Sequence, residues 1–157
     1  ENGVKFSSRE GLPFDETAGD ELEKIMQKHS PEKLAAVILE CVQGEGGYRV
    51  APRKMVSDIR RVTKDHQIPF ICDEVQSGMG RTGKWWAYEH YAVIPDAFTS
   101  AKALQVGAVI SKKTLFPDEP GAISSTWGGG HILDLALGAK TIEIIKNIVE
   151  KFKIKNI

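Results

Sequence analysis

Two carboxylates and a lysine stand where short apolar runs end, and residues of these types could form the centre of a site. Glu40 ends the run LAAVILE, Asp73 follows IPFIC, and Lys102 follows AFTSA. In a mostly parallel sheet, ligands bind beyond the carboxyl ends of the strands. A carboxylate placed there could keep a ring nitrogen protonated, and a lysine amine in an uncharged stretch could form a Schiff base with a carbonyl compound.

Taken singly, neither residue identifies a site. An aspartate after an apolar strand is more typical of a cap or a turn, and one lysine among many is usually a solvated charge. The order and spacing of the whole set must therefore decide.

The segment GMGRTGK, residues 78–84, raises the alternative of a phosphate loop for a nucleotide. Counted from Gly78, it fits the spacing G-x-x-x-x-G-K, but Trp85 stands where a hydroxyl residue must hold magnesium. A phosphate loop also joins a strand directly to a helix, whereas residues 73–77 intervene here. The pattern argues against nucleotide hydrolysis and predicts a turn over residues 78–83.

Hydrophobic periodicity predicts strands that alternate with helices, which is typical of an α/β fold with a mostly parallel sheet. We expect a loop over residues 1–19, and then a short helix that Asp20 caps and that ends at His29-Ser30-Pro31. Pro52 can open a second helix, with Met55, Val56, Ile59 and Val62 on one face, and residues 131–152 have the spacing of a long amphipathic one. The strands are expected at residues 34–40, 68–72, 97–102 and 106–112.

Composition indicates an ordinary globular chain. Its 157 residues are 41% hydrophobic and 27% charged, and 21 basic residues balance 21 acidic ones. A net charge of zero gives no whole-chain argument for binding nucleic acid or a membrane surface. With no apolar run long enough to cross a bilayer and only two cysteines, Cys41 and Cys72, we expect a cytoplasmic protein with buried, reduced thiols. The four histidines show no metal-ligand spacing, so no metal is expected.

Three blocks in a fixed order carry a resemblance to a known family. They are ECVQGEGGYRVAP, ICDEVQSGMGRTGKWWAYEHYAVIPDAFTSAKAL and STWGGG. Together they resemble the core of the class III, or ω-, aminotransferase family, which uses pyridoxal 5'-phosphate, and the likeness spans about residues 35–150. The resemblance implies the large domain of a fold-type I transferase, with three αβα layers. It also implies an amino donor, a 2-oxo acid acceptor and a homodimer with a shared active site.

The resemblance assigns five residues to the cofactor. Asp73 would pair with the pyridinium nitrogen, Val75 would pack on the ring face, and Gln76 would hydrogen-bond the ring hydroxyl. Lys102 would carry the Schiff base and move the proton between substrate and cofactor. Thr126 would reach the cofactor phosphate of the partner subunit across the dimer interface.

Two further residues are assigned to the surroundings of the substrate. Glu40 matches a polar contact near the site. Glu45 matches a glutamate that pairs with an arginine which binds the substrate carboxylate, and that acts as a gate between the two half reactions. Without the resemblance, Glu45 within GEGG is equally typical of a turn.

The sequence departs from the common family pattern in two places, of which the second favours one branch. Cys41 replaces the usual proline after the first glutamate, and KALQVGAVIS lacks the glycine-rich insertion that usually follows the lysine. Together with SSTWGG, this form resembles the lysine 6-aminotransferase branch more than the 4-aminobutyrate, ornithine or acetylornithine branches. It implies transfer of the 6-amino group of L-lysine to 2-oxoglutarate, which gives glutamate.

Members of the family are far longer than 157 residues, so we expect a partial large domain. The N-terminal half of that domain and the small C-terminal domain would lie outside residues 1–157, and the piece alone would be inactive. Two alternatives stay open. One is another class III enzyme, such as a 4-aminobutyrate, ornithine or acetylornithine aminotransferase, an amino acid racemase or an aminomutase. The other is an inactive fragment that serves as a structural module.

Overall fold

The computed structural model describes residues 11–119 and 130–152. Within these ranges the chain forms three α-helices, four strands and three short 3-10 helices. In chain order the helices and strands are α1 (Ala18–Lys28), β1 (Val37–Leu39), α2 (Arg53–Asp65), β2 (Phe70–Asp73), β3 (Ala97–Ser100), β4 (Ala108–Ser111) and α3 (Ile132–Lys151). The 3-10 helices are Pro31–Lys33, Ala87–Tyr91 and Lys113–Leu115.

The four strands form one sheet in the order β1-β2-β3-β4. The first three strands are parallel, with Leu39 opposite Cys72 and Asp73 opposite Thr99, and β4 is antiparallel to β3. The α/β class and the mostly parallel sheet predicted from the sequence are therefore confirmed. Because β1, β2 and β3 run the same way, their carboxyl ends lie at one edge.

The core lies between the sheet and the first two helices. On α2, the four apolar residues predicted to share a face, Met55, Val56, Ile59 and Val62, are fully buried. On α1, Gly19 faces α2 so closely that a Cβ there would lie 2.5 Å from Cβ of Asp58. A larger residue would therefore push the two helices apart.

The start of α1 differs from the prediction. Asp20 lies in the first turn instead of capping it, because the helix begins at Ala18. Asp15 organises the entry: its Oδ1 accepts hydrogen bonds from the amide and the hydroxyl of Thr17, at 2.8 and 2.5 Å. An acidic side chain in the first turn still stabilises the positive end of the helix dipole.

The predicted strands are shortened at their ends. Only residues 37–39 of the predicted 34–40 pair as a strand, and β2 begins at Phe70 because Pro69 has no amide to donate. The run at residues 34–40 has the length and apolar composition of a buried strand, but β1 lies at the edge of the described sheet and the side chain of Ile38 is 62% exposed.

The helix α3 agrees with its predicted bounds but packs less than its pattern indicates. Gly138 is its one buried residue among those described, and a Cβ there would lie 3.0 Å from the carbonyl oxygen of Leu104. Apolar side chains of α3 that remain exposed include Ile132, Leu133, Leu135, Leu137 and Phe152.

The two cysteines are free and fully buried, with their Sγ atoms 4.0 Å apart. The neighbouring Cys41 thiol, together with burial, raises the pKa of Cys72. Reduced thiols at this position agree with the prediction. No helix in the described parts of the chain is long and apolar enough to cross a membrane.

Candidate active site

The candidate site lies at the carboxyl edge of the sheet. Glu40 directly follows β1 and Asp73 ends β2, and the pairing of Leu39 with Cys72 brings these two acids to neighbouring positions. A cleft of about 800 Å³ runs along β1 and is lined by both carboxylates. The structure therefore brings together the two acids that the sequence placed at strand ends.

Asp73 is held by hydrogen bonds to one of its two oxygens. Its Oδ1 accepts the amide of Val75 at 3.0 Å and the hydroxyl of Thr99 at 2.9 Å. Among the described residues, none donates to Oδ2. The carboxylate is thus fixed in orientation and keeps one oxygen available to a ligand.

Val75 and Gln76 begin the turn that follows β2, and both are half-buried. Nε2 of Gln76 donates a hydrogen bond to Oε1 of Glu45, at 3.1 Å. Glu40 holds the start of the loop that carries Glu45, since its Oε2 accepts the amide of Gly44 at 2.9 Å. The segments that follow β1 and β2 therefore carry four of the predicted site residues, and the hydrogen bond between Gln76 and Glu45 joins the two segments.

Lys102 lies two residues beyond β3, in a turn over residues 102–105, and not within the strand predicted over 97–102. Its carbonyl accepts the amide of Gln105 at 3.3 Å and the side-chain Nε2 of Gln105 at 3.0 Å. The ammonium group is exposed and makes no hydrogen bond or ion pair with another described residue. The amine of Lys102 is therefore free, and Lys102 lies at the same carboxyl edge of the sheet as Asp73. Thr126, the seventh predicted residue, lies outside the described residues.

The segment GMGRTG forms a turn and has no phosphate-binding geometry. The amides of Met79 and Gly80 both donate to the carbonyl of Trp85, at 2.7 and 3.3 Å, so these N–H groups are already used. Positive φ angles at Gly80 and Gly83, 88° and 87°, explain the glycines. The segment leads into the 3-10 helix at Ala87, not an α-helix, which agrees with the rejection of a nucleotide loop.

Glu74 has a structural role that sequence reasoning missed. Its side chain is 1% exposed, and its oxygens accept the hydroxyl of Ser77 and the amides of Ala87 and Tyr88, at 2.8, 2.9 and 2.9 Å. Burial raises the pKa of Glu74, and the three hydrogen bonds oppose that rise. This carboxylate therefore fastens the start of the Ala87–Tyr91 helix beneath the turn.

Two other contributors were not predicted. Thr99 orients Asp73 by a hydrogen bond. This role is indicated by the position of Thr99 opposite Asp73 where β2 and β3 pair, and the sequence alone does not show that pairing. Gly44 lies against the Gln76 amide so closely that a Cβ would overlap it. The aromatic residues Trp86 and Tyr88, in contrast, pack on Phe98, with ring centroids 4.5 and 5.5 Å away.

Fold and geometry together define an α/β domain with an acid-lined crevice and a free lysine at the carboxyl edge of a mostly parallel sheet. A family model described as Aminotransferase class-III matches residues 5–156. The chain belongs to this family, whose members are pyridoxal-phosphate-dependent transferases.

Curated relatives agree with that assignment. The chain is 47% identical over 116 residues to a diaminobutyrate–2-oxoglutarate aminotransferase from Rhizobium meliloti, a match that covers 71% of this chain and 24% of the relative. It is 41% identical over 128 residues to an acetylornithine aminotransferase from Prochlorococcus marinus, covering 76% and 30% respectively. The chain thus spans about a quarter to a third of the length of these relatives.

Solved structures give the same fold. An S-selective transaminase from Arthrobacter sp. matches with a TM-score of 0.76 and 30% identity, over 92% of this chain and 34% of that one. These neighbours confirm the fold-type I prediction.

Proposed function

We propose that the whole protein to which this chain belongs is a pyridoxal-phosphate-dependent aminotransferase that moves a terminal amino group to a 2-oxo acid. The observation that carries the proposal is the Asp73 carboxylate. Two hydrogen bonds fix Oδ1, which leaves Oδ2 at the crevice for a protonated ring nitrogen. A carboxylate at hydrogen-bond distance stabilises that protonated form.

The residues present fit the cofactor. Asp73 would hold the ring nitrogen, Val75 would pack on the ring face, and Gln76 would meet the ring hydroxyl. When bound, pyridoxal phosphate supplies an electron-withdrawing ring and a carbonyl carbon. The exposed amine of Lys102 would be the nucleophile for that carbon and the base that moves a proton at the substrate. Thr126 would contact the phosphate bound by the partner subunit of a homodimer.

Glu45 is the candidate for switching between substrates. Its Oε1 is bound to Gln76, whereas Oε2 makes no hydrogen bond to another described residue. A cation that binds the carboxylate of a 2-oxo acid would be masked by this oxygen when the substrate presents an uncharged end. Replacing Glu45 should therefore change the preference between donor types.

The proposed donor is L-lysine, through its 6-amino group, and the acceptor is 2-oxoglutarate. The departures in KALQVGAVIS and SSTWGG favour lysine. Ornithine, acetylornithine and diaminobutyrate are the competing donors, because the relatives are named for them. All four compounds are diamino acids or derivatives of one, so one site chemistry would serve each.

We further propose that residues 1–157 are part of a large domain completed by other segments of the whole protein. The exposed apolar side chains of β1, β4 and α3 support this, since Ile38, Val109 and Ile132 are 62%, 61% and 80% exposed. Large apolar surfaces of this kind normally lie against another part of a protein.

The test uses the whole protein and two lysine variants. We expect cofactor absorbance and glutamate formation from 2-oxoglutarate with one of the four donors. Lys102→Ala should lower the rate by at least about a hundredfold, the typical contribution of a positioned proton-transfer group. Lys113→Ala, at another exposed lysine, is the control and should leave the rate unchanged.

Three results would contradict the proposal. Absence of cofactor binding would indicate a structural module, and an undiminished rate in Lys102→Ala would remove that residue from the mechanism. Cofactor binding with racemisation or amino-group migration, and without glutamate, would identify another reaction of the same family. Glutamate formed from ornithine and not from lysine would refute the donor alone.

A further inference from the structure

The loop between Glu40 and Tyr48 is built as a closed turn that carries one carboxylate. Its start is tied down by Glu40, whose Oε2 accepts the amide of Gly44. Its end folds back, since the amides of Gly47 and Tyr48 donate to the carbonyl of Gly44, at 3.0 and 3.3 Å. Both of these residues have positive φ, 99° and 54°. The loop therefore has a defined shape, and Glu45 has a defined place on it.

The amide of Gln76 lies between two residues of this loop. Its Nε2 donates to Oε1 of Glu45, and a Cβ at Gly44 would overlap its Cδ and Oε1. The side chain is thus held by a hydrogen bond on one side and by close backbone on the other. Only glycine leaves room for the amide in this position.

The chemistry of the two groups decides how the amide is turned. A carboxylate only accepts hydrogen bonds, so it must face the NH2 group of the glutamine and not its carbonyl. With one proton of Nε2 committed to Glu45, the second N–H and the carbonyl oxygen remain for a ligand. Without Glu45, the amide could rotate and present its two ends in either order.

We propose that Glu45 is a positioning residue for the cofactor, and that it acts by fixing the orientation of the Gln76 amide against the ring hydroxyl. This inference rests on the proposed function, and it adds a second role for Glu45. The two roles use different oxygens, because Oε1 binds Gln76 and Oε2 is left to meet a cation. They also need different chemistry: orienting the amide needs only an acceptor, whereas masking a cation needs a charge.

Glu45→Gln separates these two roles. The amide oxygen of the new glutamine can accept from Nε2 of Gln76, but the side chain carries no charge. We expect Glu45→Gln to keep the cofactor affinity of the whole protein within about twofold, while Glu45→Ala weakens it about 3- to 10-fold, the usual effect of one hydrogen bond. Donor preference should change in both variants, as the gating role requires.

A second pair of variants perturbs the amide from its other side. Gly44→Ala should weaken cofactor binding as Glu45→Ala does, because the new methyl group displaces the end of the Gln76 side chain. The displaced atoms belong to a flexible side chain, so the fold is retained. Gly46→Ala is the matched control, since a Cβ there meets the Gln43 side chain and not Gln76, and binding should stay within about twofold.

The measurements are cofactor dissociation constants and the pH dependence of the absorbance of the bound cofactor, with circular dichroism to check folding. In a protein that already carries Gln76→Ala, adding Glu45→Ala should cause no further change in the cofactor dissociation constant, since the two residues act together. The inference would be overturned if Glu45→Ala bound the cofactor as tightly as wild type, or if Glu45→Gln lost as much cofactor affinity as Glu45→Ala. Failure of the proposed function is distinct, because wild type would then bind no cofactor, or would bind it without forming glutamate.

Discussion

Glu74→Gln should destabilise the whole protein, although the change is small and lies away from the crevice. The carboxylate accepts three hydrogen bonds, two at Oε2 from Ser77 and Ala87 and one at Oε1 from Tyr88. The carbonyl oxygen of a glutamine can replace Oε2. Its NH2 group must then face the amide of Tyr88, so two donors meet and neither is satisfied.

The magnitude follows from that mismatch. A buried donor left without a partner costs about 1–3 kcal/mol of unfolding free energy, and the side chain is fully buried, so water does not relieve it. The loss of a buried charge offsets part of this cost. We therefore expect a net loss of about 1–2 kcal/mol toward pH 8, where the comparison is with the ionised carboxylate, and a larger loss at lower pH.

The pH dependence has a definite sign. Burial raises the pKa of Glu74 above its ordinary value of 4.5, so the folded state holds its proton where the unfolded state has released it. The contribution of Glu74 to stability is complete below pH 4.5 and is lost as pH rises through the folded pKa. Glutamine does not titrate, so the difference in unfolding free energy between wild type and Glu74→Gln should decrease from pH 5 to pH 8.

Urea unfolding followed by tryptophan fluorescence measures this gap, because Trp86 lies within the segment that Glu74 fastens. The control is Glu89→Gln, where a single bond from the Trp86 amide at 3.1 Å can be kept by the glutamine carbonyl. That variant should lose less than about 0.5 kcal/mol. Equal stability of Glu74→Gln and wild type at pH 5, or a gap that widens toward pH 8, would refute this account of the Glu74 contacts.

Two further predictions concern the two ends of the sheet. Thr99→Val should weaken cofactor binding about 3- to 10-fold, because Asp73 loses its 2.9 Å hydrogen bond. Thr99→Ser should restore binding, since the serine hydroxyl can donate the same hydrogen bond. Cofactor dissociation constants check this, and a valine variant that binds as tightly as wild type would contradict it. Asp96→Asn should destabilise by about 1–2 kcal/mol at pH 7 without affecting the cofactor, because Arg60 loses its 2.7 Å ion pair. Burial tends to raise the pKa of Asp96, but its hydrogen bonds to Arg60 and to a backbone amide lower it below 3.8, so the stabilisation exists above that pH and fades as pH falls through the folded pKa. Urea unfolding at pH 7 and pH 3 checks the second case, and a difference in unfolding free energy that does not decrease between pH 7 and pH 3 would refute it.

Much of the fold follows from periodicity, because burial imposes it. The face of Met55, Val56, Ile59 and Val62 on α2 is fully buried as predicted, since an amphipathic helix has one way to cover a sheet. The run LAAVILE was predicted less well. Its composition is that of a strand covered on both sides, but whether a neighbour lies beside β1 depends on the rest of the chain and not on the run itself.

The candidate site divides in the same way. Asp73 and Glu40 could be placed at the crevice from the sequence, because each ends an apolar run in a parallel sheet. Thr99 and Gly44 could not, because their roles depend on which residue lies opposite in space. The contact between Thr99 and Asp73 joins residues 26 positions apart, and it exists only when β2 and β3 pair in this register.

The adjacent acids Asp73 and Glu74 show why residue type alone does not assign a role. Neighbouring residues at the end of a strand point to opposite sides of the sheet. Asp73 therefore reaches the crevice half-buried, with one oxygen free, and Glu74 turns into the core, where three donors occupy its oxygens. A ligand can use only a carboxylate with unoccupied acceptor positions, so Asp73 and not Glu74 is the candidate for binding one. Glu74 instead stabilises the segment that closes behind it, and exchanging the two functions would require shifting β2 by one residue.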